Sequence, residues 1–256
     1  MNQLLAGKKF LIMGVANDRS IAWAIAKQLH EAGATLAFSY QGDRLESRVL
    51  KLVESTMPGS TMVQVDVTRE EEIASAFALL KEQWGTMDGL VHSLAFAKSE
   101  ELEGHFSDTS REGYLLAQDI SAYSLVAVSR FAKTLMVEGG SIITMTYLGG
   151  ERVLANYNVM GVAKAALDQS VRYLAADLGE QNIRVNAISA GPINTLAARG
   201  VRNFSTILGV VAEKAPLKRN ITQEEVAKTA LFLASDLSSG ITGEVIHVDA
   251  GYHIMA

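Results

Sequence analysis

The sequence predicts an α/β protein with one doubly wound domain, in which a seven-stranded parallel sheet is flanked by helices on both faces. Three observations carry that expectation. Seven short runs, at 9–13, 35–39, 61–65, 89–93, 141–145, 184–188 and 245–248, are nearly continuous in apolar residues, as strands covered on both faces require. Between them lie longer segments of helical periodicity, at 21–32, 44–55, 70–84, 112–137, 157–180 and 223–234. Strand, helix and strand in regular succession imply right-handed crossovers and therefore parallel pairing. The 256 residues contain only 3 Pro and no charge block or Ser/Pro-rich stretch, so nothing reads as a linker and a single domain is expected over 1–256.

Ligands of such sheets bind at the carboxyl ends of the strands, so the residues after each run are the candidates. The first run leads into Gly14-Val15-Ala16-Asn17-Asp18-Arg19-Ser20-Ile21-Ala22. A glycine there lets backbone approach a diphosphate, and the helix that follows offers unpaired N–H groups to its charge. The spelling is unusual, because G-x-G-x-x-G is absent and Ser20 and Ala22 stand where glycines are common. After the second run come Tyr40-Gln41-Gly42-Asp43-Arg44. Gln41 can bond ribose hydroxyls without bringing a positive charge for a 2′-phosphate, which favours NADH over NADPH. The third run ends in Asp66-Val67-Thr68, where a carboxylate can accept the adenine amino group; capping the helix near Glu70 is the competing use. The fourth delivers His92-Ser93-Leu94-Ala95-Phe96-Ala97, small and apolar enough to lie against ribose and nicotinamide. His92, a lone histidine on a core strand, reads as structural.

The fifth run leads to the stretch around which the chain is organised, from Tyr147 through Tyr157 to Lys164. If 157–180 is helical, Tyr157 and Lys164 lie two turns apart, within about 20° on one face and about 10 Å in rise. A phenol and an ammonium facing one cleft suit a reaction that develops negative charge on a substrate oxygen, with the cation holding a cofactor. Further on, 196–216 mixes small and apolar residues with Gly200 and Gly209 and reads as a substrate-covering lid. The start of the last helical segment, Thr222-Gln223-Glu224-Glu225, has the form of an N-cap with Glu at the third helical position.

Composition removes several classes. With 28 acidic and 23 basic residues the net charge is -5, and there is no Lys/Arg cluster, which argues against nucleic acid as a partner. Zero cysteines exclude disulfide and thiolate chemistry. His30, His105, His247 and His253 have no metal-site spacing, so no metal is expected. No apolar stretch reaches the roughly 18 residues of a membrane span and the first residues do not form a signal peptide, so a cytoplasmic protein without membrane attachment is expected.

These residues resemble the short-chain dehydrogenase/reductase superfamily, of Rossmann fold, over essentially the whole chain, from Gly14 to the closing 242–251. Most members place Tyr and Lys four apart; here Gly161 stands at that position and six residues separate Tyr157 from Lys164. That spacing, Tyr147 ten residues upstream, the Gly14-x5-Ser20-Ile21-Ala22 turn, Ser93-Leu94-Ala95-Phe96-Ala97 and Gly191-Pro192-Ile193-Asn194-Thr195-Leu196-Ala197 together are similar to bacterial NADH-dependent enoyl-acyl-carrier-protein reductases. The resemblance implies that Tyr157 donates to a thioester oxygen, Lys164 holds the nicotinamide ribose and Tyr147 lines the acyl site. It makes Gly14, Ser20, Ile21, Gln41, Asp66, Val67, Leu94, Ile193, Asn194, Thr195, Leu196 and Ala197 cofactor contacts, and Ala97 a substrate contact. Leu94 replaces a common Ile and Asn194 a common basic residue, so contacts through their side chains are the ones put in question. The resemblance also implies an acyl-carrier-protein substrate, for which Arg199 and Arg202 are candidate contacts, and a homotetramer using 112–137 and 157–180. A ketone or alcohol dehydrogenase would instead show Ser after the fifth strand, where Thr146-Tyr147 stands, and Tyr-x-x-x-Lys. A non-catalytic dinucleotide sensor would need only the Gly14 turn.

Overall fold

The structure is a computed structural model that describes residues 3–195, 198 and 204–255. Its seven strands are β1 (Lys9–Met13), β2 (Thr35–Tyr40), β3 (Thr61–Gln64), β4 (Gly89–His92), β5 (Gly140–Thr146), β6 (Ile183–Ala190) and β7 (Val245–Val248). They form one sheet in the order β3-β2-β1-β4-β5-β6-β7, parallel throughout. The chain winds outward from β1 to β3, then returns to β4 beside β1 and winds the other way. The switch point is therefore the β1–β4 seam, where Met13 pairs with His92. Gly14 and Ser93 open directly from it.

Both sheet faces are buried, which is why the strand runs are apolar without alternation. On β1, Phe10 and Ile12 point into one core and Leu11 and Met13 into the other, following the two-residue period of a strand. The first core is closed by α1 (Ile21–Glu31), α2 (Gly42–Thr56) and α8 (Gln223–Ala234), the second by α3 (Glu70–Trp84), α5 (Ser124–Ala132) and α6 (Asn158–Leu178). Helix α8 starts as its sequence indicates. Thr222 Oγ1 accepts from the Glu225 N–H at 3.3 Å, and the Glu225 carboxylate accepts from the Thr222 N–H at 2.8 Å.

Two expectations are revised. The segment 112–137 is not one helix: α4 (Arg111–Gln118) and α5 are joined by a π-helical turn, Asp119–Tyr123. There Ser124 Oγ donates to the Ile120 carbonyl at 2.6 Å while also reaching His92 on β4. And Tyr157 does not lie in the helix it precedes. It is the residue before α6, with φ -121° and ψ -23°, and the helix itself runs from Asn158 to Leu178.

Candidate active site

The site begins at the switch point. Gly14 has φ +98°, and a Cβ on it would collide with the Ser93 carbonyl, so only glycine lets the two loops cross here. Ser20 is buried, and its hydroxyl accepts from the N–H groups of Ala16 and Asn17 at 3.0 and 3.1 Å. The loop is thus braced from within by a side chain where other chains of this type use glycine. The N–H groups of Ile21 and Ala22, in the first turn of α1, have no partner among the described residues and face the loop as free donors. A cleft of about 340 Å³ lies between Arg19, Ile193, Asn194 and the start of α8 at Thr222 and Gln223. The Gln223 amide donates to the Arg19 carbonyl across its floor.

Beyond the ends of β2 and β3, Gln41 and Asp66 meet. Gln41 Nε2 donates to Asp66 Oδ2 at 2.9 Å, and Thr68 donates to Oδ1 from both its N–H, at 3.0 Å, and its hydroxyl, at 2.7 Å. Burial pushes the Asp66 carboxyl upward, but the hydrogen bonds from Thr68 and Gln41 outweigh it and hold it below the usual carboxylate range. Asp66 is therefore not the cap of α3, whose preceding residue is Arg69. Val67 and Leu94 are half-buried against the second core and offer apolar walls. Ile193 packs on the first core, Asn194 is exposed, and Thr195 Oγ1 accepts from the Ala198 N–H at 3.2 Å. Leu196 and Ala197 lie outside the described residues, as do Arg199 and Arg202.

Tyr157 stands just before α6 and Lys164 lies on it, with the Lys164 side chain turned to the end of β5. The Lys164 side chain is buried, and its Nζ donates to the Met145 carbonyl at 2.8 Å. Burial pulls its ammonium down to about 8, against the opposing pull of Asp168 one turn further along α6. Burial pushes the Tyr157 phenol far above its ordinary range, helped by Tyr147 and Asp168. The Tyr147 and Tyr157 rings meet edge to face, 5.1 Å apart and at 73°, and burial pushes the Tyr147 phenol up to about 12. Ala97 and Tyr157 pack on the same small cluster of Leu102, Ala117, Val159, Met160 and Ala163, so the loop after β4 ends beside the phenol.

The wide Tyr–Lys spacing has a local cause. At Gly161, four residues after Tyr157, an added Cβ would stand 2.9 Å from the Gly149 carbonyl, so the turn carrying Tyr147 lies directly on the helix. A lysine there has no path into the site. Lys164, one turn on, has one.

His92 is fully buried between Thr144 Oγ1, at 2.9 Å from Nδ1, and Ser124 Oγ, at 2.8 Å from Nε2. Burial and the Lys164 charge hold its imidazole down to about 3, so it is neutral and structural, as its position suggests. Sequence reasoning missed Ser121, Ser124 and Asp168. Serine and aspartate inside an apolar-periodic helical segment carry no signal of their own, and nothing in the spelling marks a π-helical turn. Among the described residues no group of three or more His, Cys, Asp or Glu is arranged to hold a metal ion, and no helix is long and apolar enough to cross a membrane.

The profile of a family described as enoyl-(acyl carrier protein) reductase matches residues 14–253. The enoyl-[acyl-carrier-protein] reductase [NADH] FabI of Bacillus cereus is 59% identical over 255 residues, covering 99% of each chain. The [NADPH] FabI of Staphylococcus aureus is 57% identical over 250 residues, covering 97% of this chain and 98% of that one. Among solved structures, the Bacillus cereus enoyl-acyl carrier protein reductase with NADP+ and indole naphthyridinone superposes with TM-score 0.98 at 58% identity, covering 99% of each chain. The corresponding reductase from Anaplasma phagocytophilum with NAD gives 0.94 at 46% identity, covering 100% of this chain and 95% of the other. The family profile, the relatives' identity over the full length and the superposed fold agree, and the chain belongs to the enoyl-acyl-carrier-protein reductase family of the short-chain dehydrogenase/reductases.

Proposed function

We propose that the chain reduces the carbon–carbon double bond of trans-2-enoyl-acyl-carrier-protein thioesters with NADH, the last reductive step of bacterial type II fatty acid elongation, in the cytoplasm. The observation that carries this reading is the half-buried phenol of Tyr157, edge to face with Tyr147 at the entry to the helix that buries the Lys164 amine, with Gly161 at the position where the shorter spacing would put a lysine. NADH, when bound, would supply the hydride that adds to the carbon β to the thioester carbonyl. Negative charge then collects on the carbonyl oxygen as an enolate. Tyr157, kept protonated by its burial, donates a hydrogen bond to that oxygen and stabilises the charge. The α carbon takes its proton ultimately from solvent.

The residues present fit the dinucleotide. Gly14 clears the diphosphate turn, Ile21 and Ala22 offer N–H donors, and Gln41 with Asp66 presents neutral and acceptor groups to the ribose and adenine. Ser20, Val67, Leu94, Ile193, Asn194, Thr195, Leu196 and Ala197 complete the cofactor contacts, and Lys164 holds the nicotinamide ribose. Tyr147 lines the acyl site and Ala97 touches substrate. The neutral Gln41 supports NADH over NADPH, since no cation there would meet a 2′-phosphate.

Residues 196–216 serve as the lid. Its described part holds α7 (Phe204–Lys214), an apolar helix of which Val211 alone is buried, with Val210 left exposed. The working assembly is a homotetramer. Exposed Tyr114, Leu115 and Tyr123 along α4 and the π-helical turn, together with exposed Tyr173 on α6, supply apolar surface for it. The test follows loss of NADH absorbance with crotonyl thioester and then with acetoacetyl thioester, repeated with NADPH. Turnover of the first and not the second is expected, faster with NADH. Turnover of acetoacetyl thioester alone would assign ketone reduction, and turnover of neither would leave only dinucleotide binding.

A further inference from the structure

The π-helical turn between α4 and α5 does more than join two helices. It is the place where Ser121, fully buried, reaches the loop that leaves the end of β4. One hydroxyl makes two bonds to one residue of that loop. It accepts from the Phe96 N–H at 2.9 Å and donates to the Phe96 carbonyl at 3.1 Å. In this turn and just after it, Ser121 meets Phe96 and Ser124 meets His92, so both hydroxyls reach the end of β4 and the loop that leaves it.

The clamped residue sits at the middle of a functional span. On one side of Phe96, Ser93 abuts Gly14 in the diphosphate turn. On the other, Ala97 packs with Tyr157 on the small cluster beside the phenol. The Phe96 ring is exposed, so side-chain packing does not hold this residue. The Ser121 hydroxyl satisfies both of its main-chain groups at once, and Ser124 fixes the strand just before it through His92.

We infer that Ser121 is a positioning residue for reduction: by clamping Phe96 it sets the distance between the Ala97 end of the loop and the Tyr157 phenol, and so the seat of the enoyl thioester. This rests on the reductase reading given above. The loop's cofactor end is held separately at Ser93 and Gly14, so losing the clamp should loosen the thioester seat more than the dinucleotide groove.

The test is Ser121→Ala, assayed with crotonyl thioester and NADH. A rise of about tenfold in KM for the thioester is expected, with kcat and the Kd of NADH each within about twofold of the unaltered enzyme, as two lost hydrogen bonds on a half-exposed loop would give. Tm should stay within about 3 °C. Ser129→Ala is the control, because Ser129 is buried on the same helix and its hydroxyl has no partner among the described residues. It should leave the thioester KM and the Kd of NADH unchanged. Unaltered kinetics in Ser121→Ala, or thioester KM and NADH Kd weakening together in step with Tm, would overturn the inference. Should Ser121→Ala fail to fold, Ser121→Cys, similar in size and a poor donor, is read against the same two outcomes. If the unaltered enzyme oxidises no NADH with crotonyl thioester, the reductase reading fails, and that is seen before any variant is made.

Discussion

In the proposed reaction Tyr157 and Lys164 would divide the work, because desolvation acts on their two groups in opposite directions. For a phenol, removing water disfavours the anion, so Tyr157 stays a donor across the working pH range. For an amine it disfavours the cation, and Lys164 is brought down to about 8. The sign follows. Below that value Lys164 is charged and can hold a ribose; as pH rises through it the charge is lost. NADH affinity should therefore be flat from about pH 6 to about pH 7 and then fall by about tenfold by pH 9, measured as Kd by fluorescence titration. In Lys164→Ala, affinity should be low and flat throughout. Tyr157→Phe should behave differently again: kcat falls by about 100-fold, the loss of one oxyanion donor, while Kd for NADH stays within about twofold. Equal loss of cofactor affinity in both variants would contradict this division of roles.

At the scale of elements, the 148–150 turn that follows Tyr147 packs directly on α6 at Gly161. Helix propensity alone says that Gly161→Ala should stabilise the protein by about 1 kcal/mol. The contact says the reverse, because the new Cβ meets the Gly149 backbone carbonyl at 2.9 Å and backbone cannot swing aside as a side chain can. The expected result is a net loss of about 1 to 2 kcal/mol in urea denaturation, with lower kcat because Tyr147 rides on that turn. A gain in stability would remove the account. The same elements show what the residues reveal unaided. The seven strands were legible because strands buried on both faces must be apolar throughout, and α8 because its capping box is local chemistry. The Gly14 turn was legible from its place after a strand, whereas Tyr157, expected inside the helix with Lys164, stands just before it. The π-helical turn was not legible, since the partner of its Ser121 lies 25 residues away at Phe96, and neither was the reason for Gly161, which lies in the Gly149 carbonyl of a different element.

For the whole molecule, the unsettled balance is around α7. Most of the chain buries its apolar residues in two continuous cores, yet this apolar helix sends Val211 inward, rests Ile207 part-buried on the same core, and leaves Val210 in solvent beside an exposed Leu217. Its end is nevertheless anchored: the Ala215 N–H donates to the Val211 carbonyl at 2.8 Å, and the Leu217 N–H to the Ala250 carbonyl at 3.2 Å. A helix that buries few of its own side chains opens at low free-energy cost, because opening exposes little further apolar surface. Ligand that supplies apolar surface beneath it shifts that equilibrium toward closure by as much as its preference for the closed state. Amide hydrogen exchange over 204–214 should therefore be fast in the free enzyme and slow by at least about tenfold with NADH and an enoyl thioester analogue bound, while exchange over β4 and β5 stays unchanged. Equal protection of α7 in the free and bound enzyme would mean the helix is a fixed part of the wall, and the lid would have to be sought elsewhere.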